Sequence, residues 1–173
     1  MIINKTAIKI LAAAMLATSV LGCDYLNLGQ NKEKTKEATQ SLMTINNGVD
    51  SVYNLLVKSY ETFQPEEMDR ALEGFNTFLA NAAKSLGEMD MPEECQQLRQ
   101  SLSEKVEAMR NIASSDAKEQ VRIYKIPDAD FTDELRQQWD KISSSVEEKV
   151  SDFNSKVSNA LDAINKKSQD SQK

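Results

Sequence analysis

From residue 37 onward, apolar side chains recur every three or four positions in four successive stretches, the spacing of one face of an α-helix. Leu42, Ile45, Val49, Val52, Leu56, Tyr60 and Phe63 predict a helix over 37–63. Met68, Leu72, Phe75, Leu79, Ala82 and Leu86 predict a second, opened by Gln64-Pro65-Glu66-Glu67. Proline fits a first helical turn, where its missing N–H is not needed, and the acids suit the positive end of the helix dipole. Gly87 is placed to end that helix. Met91-Pro92-Glu93-Glu94 repeats the opening chemistry before a third stripe of Cys95, Leu98, Leu102, Val106, Met109 and Ile112. The last stripe is the longest: Phe131, Leu135, Trp139, Ile142, Val146, Val150, Phe153, Val157, Leu161 and Ile164. It spans about 50 Å at 1.5 Å per residue, with Asp130 or Thr132 as its cap.

The interruptions are informative too. Asn46-Asn47-Gly48 is a break signal inside the first helix, though the stripe stays in phase across it. Ser114-Ser115-Asp116 separates the third stripe from a short segment to Tyr124, which Asp116 could cap. Val121 to Ile126 also alternates like a strand, but no second strand is present to pair with it. Residues 25–36 are weakly patterned and predict an extended tether; 168–173 predict a frayed tail. Four stripes cannot be buried singly. They predict an all-α domain over 37–167, an antiparallel bundle of about four amphipathic helices with a long C-terminal helix. Met43, Tyr53, Val57 and Phe78 widen the stripes, as extra core contact or as an exposed groove.

The N-terminus follows a different rule. Lys5 and Lys9 precede twelve uncharged residues, Ile10 to Leu21, and the uncharged run reaches only fourteen at Cys23. A basic start, a short apolar run and a small residue form a secretory signal layout; a membrane-spanning helix needs about 20 apolar residues. Val20-Leu21-Gly22-Cys23 resembles the lipobox of bacterial lipoproteins. The resemblance implies a signal peptide over 1–22, cleavage before Cys23, a diacylglyceryl group on its thiol and an acyl chain, such as palmitate, on its freed amine. Leu21 is looser than the small residue commonest at that position. Several chains anchor stably where one binds only marginally. Asp24 resembles the signal that retains enteric lipoproteins in the inner membrane. The chain is thus expected to be membrane-anchored by lipid and periplasm-facing, with the inner membrane favoured slightly over the outer.

Charge and composition narrow the chemistry. With Lys5 and Lys9 removed along with 1–22, 19 of the 21 basic side chains remain against 27 acidic ones, a net of −8. Such a surface repels nucleic acid and disfavours adhesion to anionic lipid. The chain has no histidine, so neither a Ser-His nor a Cys-His pair can form. Glu66-Glu67, Glu93-Glu94 and Glu147-Glu148 fall at helix starts or on solvated faces, and no catalytic residue or cofactor motif is evident. Met89, Met91 and Cys95 are the one cluster of soft ligands, of a type suited to Cu(I); packing against the core explains them more simply. Cys95 has no intramolecular disulfide partner once Cys23 is acylated.

These features predict a non-enzymatic, lipid-anchored helical bundle of the cell envelope that acts through an envelope protein partner. In general architecture it is similar to pilotin-like lipoproteins. The alternative is a carrier whose bundle holds an apolar ligand such as an acyl chain, in a pocket among Phe75, Phe78, Trp139 and Phe153. The anchor has a direct test. The Cys23→Ser chain should take up no radiolabelled palmitate and should stay as an uncleaved or mislocalised precursor. Normal processing, with a mature chain that only detergent extracts, would overturn the lipobox.

Overall fold

Leu26–Tyr60 is one helix, α1, in the computed structural model, which describes the backbone of residues 26–170 and the side chains of 32–167. Val20, Leu21, Gly22, Cys23 and Asp24 lie outside the described residues. Pro65–Glu88 (α2), Gln96–Ser114 (α3), Asp116–Tyr124 (α4) and Asp133–Asp170 (α5) follow, with single 3₁₀ turns at Glu93–Cys95 and Asp128–Asp130. Four long helices and one short one form an all-α antiparallel bundle. Among the described residues there is no strand, so the alternation after Val121 ends in helix and turn.

The stripes become the core. Leu42, Ile45, Val49 and Leu56 of α1, Phe75 and Leu79 of α2, Cys95 in the 3₁₀ turn before α3, and all five expected residues within α3 are buried. On α5, Val146, Val157, Ala160 and Ile164 are buried, while Trp139, Ile142 and Val150 close its margin. Helix α3 pairs with every other helix. Helix α1 pairs chiefly with α2, and α5 with α3; α1 and α5 share no pairing of comparable extent.

Several boundaries differ from the sequence expectation. Helix α1 starts at Leu26, so the stretch expected as an extended tether is helical up to Lys36. Gln30, Lys32, Glu33, Lys34 and Lys36 are good helix formers, and adding residues to an existing helix avoids the cost of a new nucleus. For the same reason α5 continues to Asp170, into the first three residues of the expected tail. Helix α2 runs one residue past Gly87 to Glu88, and an extended Met89 ends it. Asp116 is not a cap: it opens α4 and pairs with Lys149 of α5 at 2.9 Å. Thr132 does cap α5, its Oγ1 accepting from the Leu135 N–H at 3.4 Å. Phe63 and Phe131, expected on the stripes, are exposed.

Asn46-Asn47-Gly48 does not break α1. A methyl group on Gly48 would run into the tip of the Phe78 ring. The glycine is there for close approach between α1 and α2, and alanine would overpack the site.

One core position is polar. Lys105, with no exposed side-chain surface, falls on the α3 stripe, three residues after Leu102 and four before Met109. Its Nζ donates to Asp50 Oδ1 at 2.6 Å and to Asn46 Oδ1 at 2.8 Å. Asn46 Nδ2 in turn donates to Asp50 Oδ2 at 3.3 Å. Asp50 keeps 34% of its side chain in solvent, which lessens the cost of burying the pair. A buried pair adds little net stability over apolar packing, but removing one partner strands the other. Urea titration should therefore place Lys105→Met within about 1 kcal/mol of the parent and Asp50→Ala about 2–3 kcal/mol below it. Equal losses from the two substitutions would refute this account.

Candidate functional site

The distinctive chemistry of the described surface sits at one end of the bundle, where α1 turns into α2 and α4 into α5. Helix α1 stops for local reasons. Ser59 and Thr62 donate their hydroxyls to the carbonyls of Leu56 and Ser59, at 2.6 and 2.8 Å. Such side chains compete with helical bonding, and Pro65 prevents continuation. Between them Phe63 takes a φ of +53°, the left-handed region that an aromatic residue rarely adopts. Its ring is 75% exposed and meets Tyr124 edge-on, with centroids 5.9 Å apart.

Beneath Phe63 lies an aromatic cluster. Tyr60 of α1 stacks on Tyr124 of α4 at 5.3 Å, and Trp139 of α5 sets its edge against both, at 4.3 Å from Tyr124 and 5.3 Å from Tyr60. These rings join three helices. The Tyr60 hydroxyl is buried with no hydrogen-bond partner among the described residues. Burial, and to a lesser degree Tyr53 and Tyr124, pushes its pKa far above the usual tyrosine value. Tyr124 is raised by its own burial and then by Glu61.

Both connections at this end are acidic. Residues 61–69 contain Glu61, Glu66, Glu67 and Asp69 and no base; residues 126–135 contain Asp128, Asp130, Asp133 and Glu134 and no base. Each also holds one exposed phenylalanine, Phe63 or Phe131. Among the described residues only Asp69 of these eight acids forms an ion pair, through both carboxylate oxygens to Lys125 Nζ at 2.6 and 2.7 Å. Glu134 is held below the usual carboxylate range chiefly by the Thr132 hydroxyl.

The sequence candidates fall elsewhere. Cys95 is buried, its Sγ 3.5 Å from the Thr35 carbonyl and from Thr39 Oγ1, so the thiol faces α1. Met89 and Met91 line an open depression of about 640 Å³ with Lys34, Glu37 and Glu93, to which Cys95 does not contribute. Gln96 and Arg99 donate to the Met91 and Met89 carbonyls at 3.0 and 3.1 Å, tying that connection to α3. No group of three His, Cys, Asp or Glu among the described residues is placed to hold a metal ion.

The four aromatics of the carrier reading are not brought together as one pocket. Phase by phase, Phe75 meets Tyr53, Phe78 abuts Gly48, Trp139 joins the end cluster, and Phe153 lies under Lys156. Between α1 and α5 there is an open depression of about 440 Å³, lined by Tyr53 and Val150 together with Glu147, Ser151, Asn154, Ser155 and Ser158.

Sequence reasoning missed the acidic aromatic end because it read Phe63 and Phe131 as stripe residues. The available signal was the matched pattern Glu61-Thr62-Phe63 with Glu66-Glu67, and Asp130-Phe131-Thr132 with Asp133-Glu134. The orphaned phenol yields a pH prediction. The folded state holds the Tyr60 proton more tightly than the unfolded state, so its contribution is constant below about pH 10 and is lost as pH rises beyond that value. Tyr60→Phe should remove part of the alkaline loss seen in thermal melts. At neutral pH it should raise stability by about 1 kcal/mol, the cost of an unpaired buried hydroxyl. An unchanged alkaline slope would contradict the assignment.

No protein-family model matches this chain, and comparison with characterised proteins and with solved structures finds no match.

Proposed function

We propose that the protein is a lipid-anchored adaptor of the bacterial cell envelope. Acylated Cys23 holds it on the periplasmic face of a membrane, by the Asp24 signal the inner one, and the bundle acts by protein contact rather than catalysis. No described helix is long and apolar enough to cross a membrane. The observation that carries the adaptor reading is where the apolar surface lies. The stripes close into one core, yet Phe63 and Phe131 stay exposed in the connections at the end opposite the start of α1, and Leu55 and Val57 are exposed on the last turns of α1 leading to it. With 35 residues at 1.5 Å each, α1 sets that end about 50 Å from Leu26. A contact surface held that far from the bilayer suits a protein partner. The carrier alternative draws no support from the separated positions of Phe75, Phe78, Trp139 and Phe153.

Photocross-linking in intact envelopes tests the reading. A benzophenone amino acid in place of Phe131 should give discrete adducts, whereas one in place of Asn154, in the α1–α5 depression, should give few. Adducts at Asn154 alone, or none at either position, would overturn it.

A further inference from the structure

The adaptor reading leaves the partner's chemistry open, and the Phe63 end narrows it. We propose that this end is the docking site for a basic, amphipathic segment of a partner protein, its apolar side chains on Phe63 and its lysines or arginines among the surrounding acids. The inference rests on the adaptor reading.

Three observations select this occupant. First, the apolar surface is raised and specific: Phe63 is 75% exposed, backed by Tyr124 and, beneath it, Trp139. An aromatic anchor already supported by other rings loses little freedom on binding. Second, two connections bring eight acids to the same end; of the bases at its margin, Lys58, Lys125, Arg70 and Arg136, Lys125 is paired with Asp69, and the acids outnumber the bases two to one. A cationic side chain would find carboxylates beside it and aromatic faces beneath it, both favourable to lysine or arginine. Third, the charge argues against rivals. Anionic lipid would meet like charge, and two copies joined end to end at this surface would set acid against acid. A tail-to-head copy, presenting Lys34, Lys36 and Lys166 from the opposite end, remains a distinct outcome of the test.

The full chain in non-ionic detergent is titrated with a fluorescent peptide of about ten residues, lysine-rich with leucines at helical spacing. A peptide with glutamate for each lysine serves as control, and detergent without protein as blank. The lysine peptide should bind and weaken as salt rises, while the glutamate peptide should not bind. Phe63→Ala should weaken binding at least about fivefold, as losing an interface anchor does. Paired Glu66→Gln and Glu67→Gln should weaken it further at low salt, and Glu147→Gln should leave it unchanged. Should Phe63→Ala lose helix by circular dichroism, Phe131→Ala replaces it with the same expectation. Equal binding of both peptides, or full affinity in both phenylalanine variants, overturns the proposal. So does concentration-dependent self-association in sedimentation that Phe63→Ala abolishes, which assigns the end to a second copy. Failure here with cross-links at position 131 intact refutes the partner chemistry alone. Peptide binding without such cross-links refutes the adaptor reading instead.

Discussion

The ammonium of Lys105, sunk in the core and held by Asp50 and Asn46, is the contact on which the arrangement of the helices depends. Apolar stripes are tolerant: a helix can slide or rotate by a turn and still bury leucines. A buried charge is not, because only one register brings its acceptors within reach. Lys105 lies on α3, the helix that pairs with all the others, and its acceptors lie one turn apart on α1. The two helices run the same way, with α2 antiparallel between them, so the polar contact sets the offset of the pair. Cys95 repeats that offset lower in the bundle, where its thiol meets Thr35 and Thr39.

With α1 and α3 set, the neighbours follow. Gly48 lets α2 approach until the Phe78 ring covers its Cα. Helix α5 is held against α3 and α4 by a mixed apolar and polar seam that includes Lys149–Asp116 and Gln120–Ser143. It meets α1 through side chains at the Tyr60–Trp139 end, while further along a shallow depression separates the two. The aromatic cluster is therefore the clasp that closes the bundle on its α1–α5 side. Its orphaned Tyr60 hydroxyl and the left-handed Phe63 are strained features at one spot, where strain commonly accompanies function.

This division of labour fits an anchored adaptor. Register and closure are decided inside the bundle, so the loops at the far end are free to carry acids and exposed phenylalanines without a stabilising duty. Phe63 and Phe131 are exposed because both lie in connections, beyond the last residue of one helix and before the first of the next. Packing of the four long helices brings the two connections to the same end, and Lys125 after α4 pairs there with Asp69 on α2.

By itself the sequence determined the fold class, the four long helices, their order and most of the core of the first three stripes, because each depends on short-range periodicity that any helix must obey; the buried residues of α4, Ala117, Val121 and Ile123, it left unassigned. Leu98, Leu102, Val106 and Met109 needed no tertiary information to be placed inside. The expected leader through Cys23 rests on the same kind of local pattern, charge, length and a small residue before cysteine, and lies outside the described residues. Only the tertiary structure decided the rest. Lys105 reads as a surface lysine until Asp50 and Asn46, distant in sequence, are seen to reach it; its position on the stripe was the one local clue. Gly48 reads as a break until Phe78 occupies the space a side chain would need. Phe63 continues the stripe in sequence, yet Pro65 and the Ser59 and Thr62 hydroxyls end the helix first and turn its ring outward. The acidic aromatic end is assembled from two connections about sixty residues apart, and such proximity is set by long-range packing, which no local pattern encodes.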